Sequence, residues 1–233
     1  MTDPLRALRA SLREQLAGLR GVGQEDLPES LLDVCVQRLE LPEGDVVFVR
    51  PADWEALRHD EGGAARPVPY WARPWRSGRA LAAALAADPP PAGARVLELG
   101  CGLALPSVVS ARAGAHVLAT DGSTDAVAFA AHTLALNEVD AEVAAVDWAR
   151  HADALVARGP WDLVLAADVL YTKQNAGLAV ALLPRLVAPG GEVRIADPHR
   201  AGAQDFLAAA RATFTLRTAG DEDVALHVLR PRR

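Results

Sequence analysis

The chain has 233 residues, a length that supports one sizeable domain with a small addition, and 51% of them are hydrophobic, enough for a full core. A net charge of −6 argues against a sequence-independent nucleic-acid binder, whose footprint is a basic face. The two cysteines, Cys35 and Cys101, have neither metal-ligand spacing nor a disulfide framework, no apolar run approaches the ~18 residues of a membrane span, and the first residues lack the charged-then-apolar order of a signal peptide. No metal, no membrane and a cytoplasmic location are therefore expected.

Leu5, Leu8, Leu12, Leu16 and Leu19 recur at three and four residues and predict an amphipathic helix that Gly21 and Gly23 end. A second helix is expected over Pro28 to Leu39, with Leu31, Val34, Cys35 and Leu39 inward. The turn Pro42-Glu43-Gly44-Asp45 leads to a strand over Val46 to Val49, and Ala52 to His59 suits a short helix. Glu61 to Pro69, rich in Gly, Ala and Pro, reads as a mobile connection or lid. Pro69 to Gly78, PYWARPWRSG, holds Tyr70, Trp71 and Trp75 within six residues. Two readings stand for it: a hydrophobic clasp over the domain edge, or the aromatic wall of a site for a cationic ligand. An Ala- and Leu-rich helix follows over Gly78 to Ala87.

The stretch Arg95 to Leu105, RVLELGCGLAL, organises the rest. Val96, Leu97 and Leu99 form a short buried strand, Gly100 and Gly102 a turn where backbone can approach a ligand, and Pro106 to Arg112 a helix with proline in its first turn. His116 to Asp121 is the next strand, ending in an acid about 20 residues after Gly100, where a doubly wound sheet places a carboxylate beside a cofactor ribose. A dinucleotide fingerprint needs a small residue at position 105; Leu105 stands there, and the small residue is Ala104.

Ser123 to Leu136 predicts a helix that Asn137 stops, with Val127, Ala130, Ala131 and Leu134 inward. Glu142 to Val146 is a third strand, closed by Asp147 and Trp148. That pair reads either as an adenine-binding acid and its neighbouring ring, or as a turn acid beside a core Trp. Trp161 to Val169 is a fourth strand whose carboxyl end carries Asp168 and Tyr171 as D-x-x-Y, on the edge where open α/β sheets bind ligands. A helix over Ala176 to Val187, the turn Pro189-Gly190-Gly191 and a strand over Glu192 to Ala196 come next. Asp197 to Arg200 reads as the start of a helix running to Ala212, with His199 and Arg200 either exposed there or contacting a ligand. Strands over Phe214 to Arg217 and Val224 to Leu229 form a closing hairpin turned at Gly220-Asp221, and Arg230 to Arg233 reads as a solvated tail.

The pattern E-x-G-x-G-x-A from Glu98 to Ala104 resembles the first motif of the class I S-adenosylmethionine (SAM)-dependent methyltransferases, and L-x-P-G-G before the Glu192 strand is similar to their turn into strand five. The Trp-containing segment before the first strand and the D-x-x-Y after strand four resemble the branch that methylates lysines of non-histone proteins (methyltransferase family 16). The likeness runs from Pro69 to the C-terminus, with Ala104 in place of the usual third glycine. It implies an α/β fold with a doubly wound, mostly parallel seven-stranded sheet, residues 69–233 as the transferase domain and residues 1–68 as a helical extension and lid. It implies SAM as cofactor, with S-adenosylhomocysteine as product, held by Trp75, Glu98, Gly100, Gly102, Asp121, Gly122, Asp147, Trp148 and Ala167. The same resemblance implies that Asp168 and Tyr171 border the acceptor, with Asp168 expected to orient a lysine amine. The expected partner is a protein or small-molecule methyl acceptor, not nucleic acid, and a monomer is compatible with the sequence. Two rivals stay open: a small-molecule methyltransferase, and a non-catalytic scaffold of the same fold.

Overall fold

In a computed structural model, residues 4–61 and 68–232 are described. Residues 62–67 of the expected lid lie outside the described residues. Helix α1 (Pro4–Arg20) buries Leu12 and Leu16, as the leucine spacing predicts. The helix expected over Pro28 to Leu39 does not form. Its first turn is helix α2 (Glu29–Leu32), and Val34–Leu39 is strand β1, paired antiparallel with β2 (Val46–Pro51) in the register Val34↔Pro51 to Leu39↔Val46. The local cause lies in two features of the sequence: β-branched Val34 and Val36 favour a strand, and the turn before Val46 folds the next apolar run back as its partner. Helix α3 (Trp54–Glu61) follows, then a single 3₁₀ turn over Tyr70–Ala72 and helix α4 (Arg76–Ala87).

Beyond α4 the chain alternates strand and helix, as right-handed crossovers in a parallel sheet require. The elements are β3 (Arg95–Leu99), α5 (Leu105–Arg112), β4 (His116–Asp121), α6 (Thr124–Leu136) and β5 (Glu142–Ala145), followed by α7 (Trp148–Ala157) and β6 (Trp161–Ala167). The chain closes with α8 (Lys173–Leu186), β7 (Val187–Asp197), α9 (Ala201–Ala210), β8 (Phe214–Gly220) and β9 (Ala225–Pro231). The seven strands run in the order β5-β4-β3-β6-β7-β9-β8. The pairs β3–β4, β3–β6, β4–β5 and β6–β7 are parallel, while β9 is antiparallel to both β7 and β8. After β5 the chain returns to the other side of β3, so a crevice opens at the carboxyl ends of β3 and β6. Such a switch point is where open α/β sheets bind ligands.

Helices cover both faces. One core holds Phe48, Leu81, Val96 and Phe129 together with Leu12 and Leu16 of α1, so the N-terminal elements pack into the core beneath the sheet rather than standing apart. The other holds Leu97, Val164, Leu183, Ile195 and Phe206. Burying each such side chain contributes roughly 1.5–3 kcal/mol. Helix α7 was not anticipated, although Trp148, Ala152, Leu155 and Val156 fall at helical spacing and all pack on the second core. Nor does the expected tail at Arg230 hold: Arg230 lies in β9 with its guanidinium 2.8 Å from Glu192, and the Arg232 backbone N–H donates to Thr213. Among the described residues, no helix is long and apolar enough to cross a membrane.

Candidate active site

The turn after β3 departs from ordinary backbone. Gly100, Gly102 and Ala104 have φ of +67°, +50° and +59°, the left-handed region that glycine enters freely and alanine does not. A side chain at Gly100 would place its Cβ 2.8 Å from Val169 Cγ1, and one at Gly102 would stand 3.2 Å from the carbonyl oxygen of Trp71. The glycines thus admit two neighbours at once: the residue after the β6 edge, and the aromatic segment that lies across the turn. Asp121, at the end of β4, holds the turn in place. Its Oδ2 accepts from the Gly102 N–H at 2.9 Å and its Oδ1 from the Ser123 N–H at 2.9 Å. Burial raises the Asp121 pKa, with the amides of Ser123 and Gly102 opposing. A carboxylate has about four acceptor positions, so these two bonds leave capacity for ligand hydroxyls.

Glu98 lies beneath the turn, only 1% exposed, and accepts a short hydrogen bond from the Ser107 hydroxyl at the start of α5. Burial pushes its pKa up to about 8. The Thr120 hydroxyl donates to the Glu98 carbonyl at 2.7 Å, which ties β3 to β4 one residue before Asp121. Glu98 therefore sits among the supports of the turn rather than on its open side.

On the β5 side, Gly122 follows Asp121, and its missing Cβ would stand 4.0 Å from the carbonyl of Val146. The Asp147 carboxylate caps α7, accepting from the Ala149 N–H at 2.8 Å, and Trp148 is half-buried against the second core. Asp147 thus has a capping role of its own at the place expected to face an adenine. Ala167, half-buried, ends β6.

Asp168 follows with φ +54°, its N–H donating to the Ala196 carbonyl at 2.9 Å. Its side chain is 7% exposed, and both oxygens are held by Arg200: Nε donates to Oδ1 at 2.8 Å and Nη2 to Oδ2 at 3.0 Å. Arg200 is the N-cap residue of α9, and its own N–H donates to Asp197 Oδ1 at 2.7 Å. The hydrogen bonds it donates to Asp168 raise the Arg200 pKa further. Sequence reasoning left Arg200 with two readings; the sole hint was a basic residue shortly after a strand end, on the edge that carries Asp168. His199, with φ +60°, turns away and bonds the Asp221 carbonyl through Nε2 at 3.1 Å.

Above this pair stand the aromatics. Tyr70 lies 5.7 Å from Tyr171 and 6.2 Å from Trp75, centroid to centroid, and the Trp75 indole N–H donates to the Tyr70 carbonyl at 2.7 Å. Trp71 instead turns inward onto Phe129 of α6 at 4.9 Å. Trp71 thus packs inward as the clasp reading expects, while Tyr70, Trp75 and Tyr171 form a separate aromatic cluster. The glycine turn adjoins Asp121 through Gly102, Val169 through Gly100, and the backbone of Trp71.

Donor and acceptor groups here fit S-adenosylmethionine. Close backbone approach at Gly100 and Gly102 suits its amino-acid end, the spare acceptor capacity of Asp121 suits ribose hydroxyls, and an aromatic rim suits a sulfonium. The fold is that of the SAM-dependent methyltransferases. It is shared by a Thermus thermophilus 16S rRNA N2 G1207 methyltransferase in complex with AdoMet and guanosine (TM-score 0.63, 17% identity, 85% of this chain and 51% of that one). It is shared also by the N-methyltransferase NodS of Bradyrhizobium japonicum with S-adenosyl-l-homocysteine (TM-score 0.56, 18% identity, 77% and 99%). Residues 75–212 match the family model described as lysine methyltransferase, and the chain belongs to that family.

Among relatives, an electron transfer flavoprotein beta subunit lysine methyltransferase of Xenopus laevis is 37% identical over 140 residues, 57% of this chain and 54% of the relative. The EEF1A lysine methyltransferase 3 of Mus musculus is 32% identical over 146 residues, 60% and 62%. A ubiquinone biosynthesis O-methyltransferase of Ralstonia nicotianae is 36% identical over 130 residues, 54% and 52%. The chain thus spans between about half and three-fifths of these relatives' lengths.

Proposed function

We propose that this chain is a SAM-dependent methyltransferase whose acceptor is the side-chain amine of a protein lysine. The observation that carries the acceptor class is the exposure of the aromatic pair that includes Tyr171, three residues beyond Asp168: Tyr70 and Tyr171 are 46% and 49% exposed, a wall a protein segment can lie along. The lysine-methylating relatives support the same reading.

When bound, SAM supplies the methyl group already activated on a sulfonium. The chain then has to align a nucleophile, exclude water and accommodate one proton. Alignment alone contributes on the order of 7–11 kcal/mol to such reactions. Gly100, Gly102 and Asp121 hold the donor half, with Gly122, Ala167, Asp147 and Trp148 bordering it and Glu98 bracing the turn. Asp168 accepts a hydrogen bond from the acceptor amine, and Tyr171, Tyr70 and Trp75 keep its surroundings apolar. In this reading residues 69–233 carry out the transfer and residues 1–68 are its N-terminal extension. A cytoplasmic setting is supported by the free thiols of Cys35 and Cys101.

The Ralstonia relative supports a second reading, a small-molecule acceptor. Incubation with methyl-labelled SAM and a soluble protein extract, followed by hydrolysis and amino-acid analysis, separates the two. Label in N-methyl-lysine is expected; label confined to small molecules would select the alternative.

A further inference from the structure

The Asp168–Arg200 fork suggests more than support of a loop, and the inference rests on the lysine-acceptor reading above. An amine attacks a methyl group only through a lone pair, yet a free lysine has a pKa of about 10.4 and arrives as ammonium. A bare carboxylate at the acceptor edge would make that worse, because an anion within ~4–6 Å stabilises the ammonium and raises its pKa. Here the carboxylate is not bare. The Arg200 guanidinium donates to both Asp168 oxygens, offsets that carboxylate's charge, and leaves the oxygens' remaining acceptor capacity in place. Arg200 in turn is fixed by Asp197, which is 1% exposed and whose Oδ2 has no hydrogen-bond partner among the described residues.

We infer that Arg200 is a specificity-determining positioning residue: by neutralising Asp168 without removing its oxygens, it makes the acceptor edge select the neutral amine and reject the ammonium. Before transfer the ammonium's N–H electron pair stays on nitrogen and the proton passes to solvent, so the acceptor enters uncharged. The charged and titratable groups around the fork are Asp168 at the end of β6, Asp197 and His199 after β7, and Tyr70 from the segment across the turn, with Tyr171 beyond Asp168. His199 is engaged with the Asp221 carbonyl.

The test uses n-butylamine, a one-amine analogue of the lysine side chain. It is titrated by NMR into the full chain saturated with S-adenosylhomocysteine, at about pH 7 and about pH 9.5. With a pKa near 10.4, the neutral fraction of such an amine rises about 300-fold over that interval. The wild type is expected to bind correspondingly more tightly at the higher pH. Arg200→Gln should bind the ammonium at about pH 7 and lose most of that pH dependence, while Arg200→Lys, which keeps the charge, should retain it. Arg200 is 40% exposed, so both variants are expected to fold, and a melting curve checks this. Equal pH dependence in wild type and Arg200→Gln, or ammonium binding by the wild type, overturns the inference. Failure of the wild type to bind S-adenosylhomocysteine would overturn the methyltransferase reading instead, so the two failures are distinguishable.

Discussion

The Gly102 N–H donates to Asp121 Oδ2 at 2.9 Å, so the turn after one strand is pinned by the acid that ends the next. Ser123 fixes the other oxygen at the same distance, and the carboxylate is oriented before any ligand arrives. Replacing Asp121 by Ala removes both the ligand's acceptor and the pin. Hydrogen bonds to charged groups contribute roughly 1.5–3 kcal/mol, so SAM affinity should fall roughly 10- to 150-fold. Calorimetric titration measures this, and unchanged affinity would remove the ribose assignment.

Ala104 makes a quieter prediction. Its left-handed backbone costs an alanine roughly 1–2 kcal/mol relative to glycine, while its fully buried methyl group contributes about 0.8 kcal/mol. The two effects oppose, so Ala104→Gly should change stability by no more than about 1 kcal/mol in either direction. A urea unfolding curve decides it; a loss above about 2 kcal/mol would mean that the methyl group packs more tightly than this balance allows.

Glu98 predicts a pH dependence. Its pKa is raised from 4.5 to about 8 by burial, so between those values the folded chain binds more protons than the unfolded one. Stability from this group is complete below about pH 4.5 and is lost as pH rises toward about 8. Gln at this position stays neutral and keeps an oxygen for the Ser107 hydroxyl. Glu98→Gln should therefore lose less stability than wild type between about pH 5 and about pH 8, measured by unfolding midpoints; parallel curves would contradict the buried acid.

Much of this was legible because the signals are local. The Leu5-to-Leu19 spacing, the β3 turn and the D-x-x-Y at Asp168 each specify an element through contacts near in sequence. The hairpin of β1 and β2 was not legible, because Leu31, Val34, Cys35 and Leu39 also fit a helix and only pairing with Val46–Pro51 decides between them. The same holds at the site. Glu98 and Asp121 stand where the motif puts them, but the motif does not say that Glu98 turns under the loop to Ser107. Arg200 reaches Asp168 across 32 residues, and nothing in the sequence between them announces that contact.

Asp168 separates binding from chemistry. Asp168→Ala should abolish methyl transfer while leaving SAM affinity within about threefold, since its oxygens face Arg200 and the acceptor edge rather than the glycine turn. The comparison needs both assays on the same preparation. Turnover that survives the substitution would end the acceptor role.

The most direct test of the central claim is calorimetric titration of the purified chain with SAM and, separately, with NAD. The account predicts saturable one-to-one binding of SAM and no response to NAD, because Leu105 stands where a dinucleotide turn needs a small residue. An absence of SAM binding would contradict it and leave the fold without the chemistry proposed here.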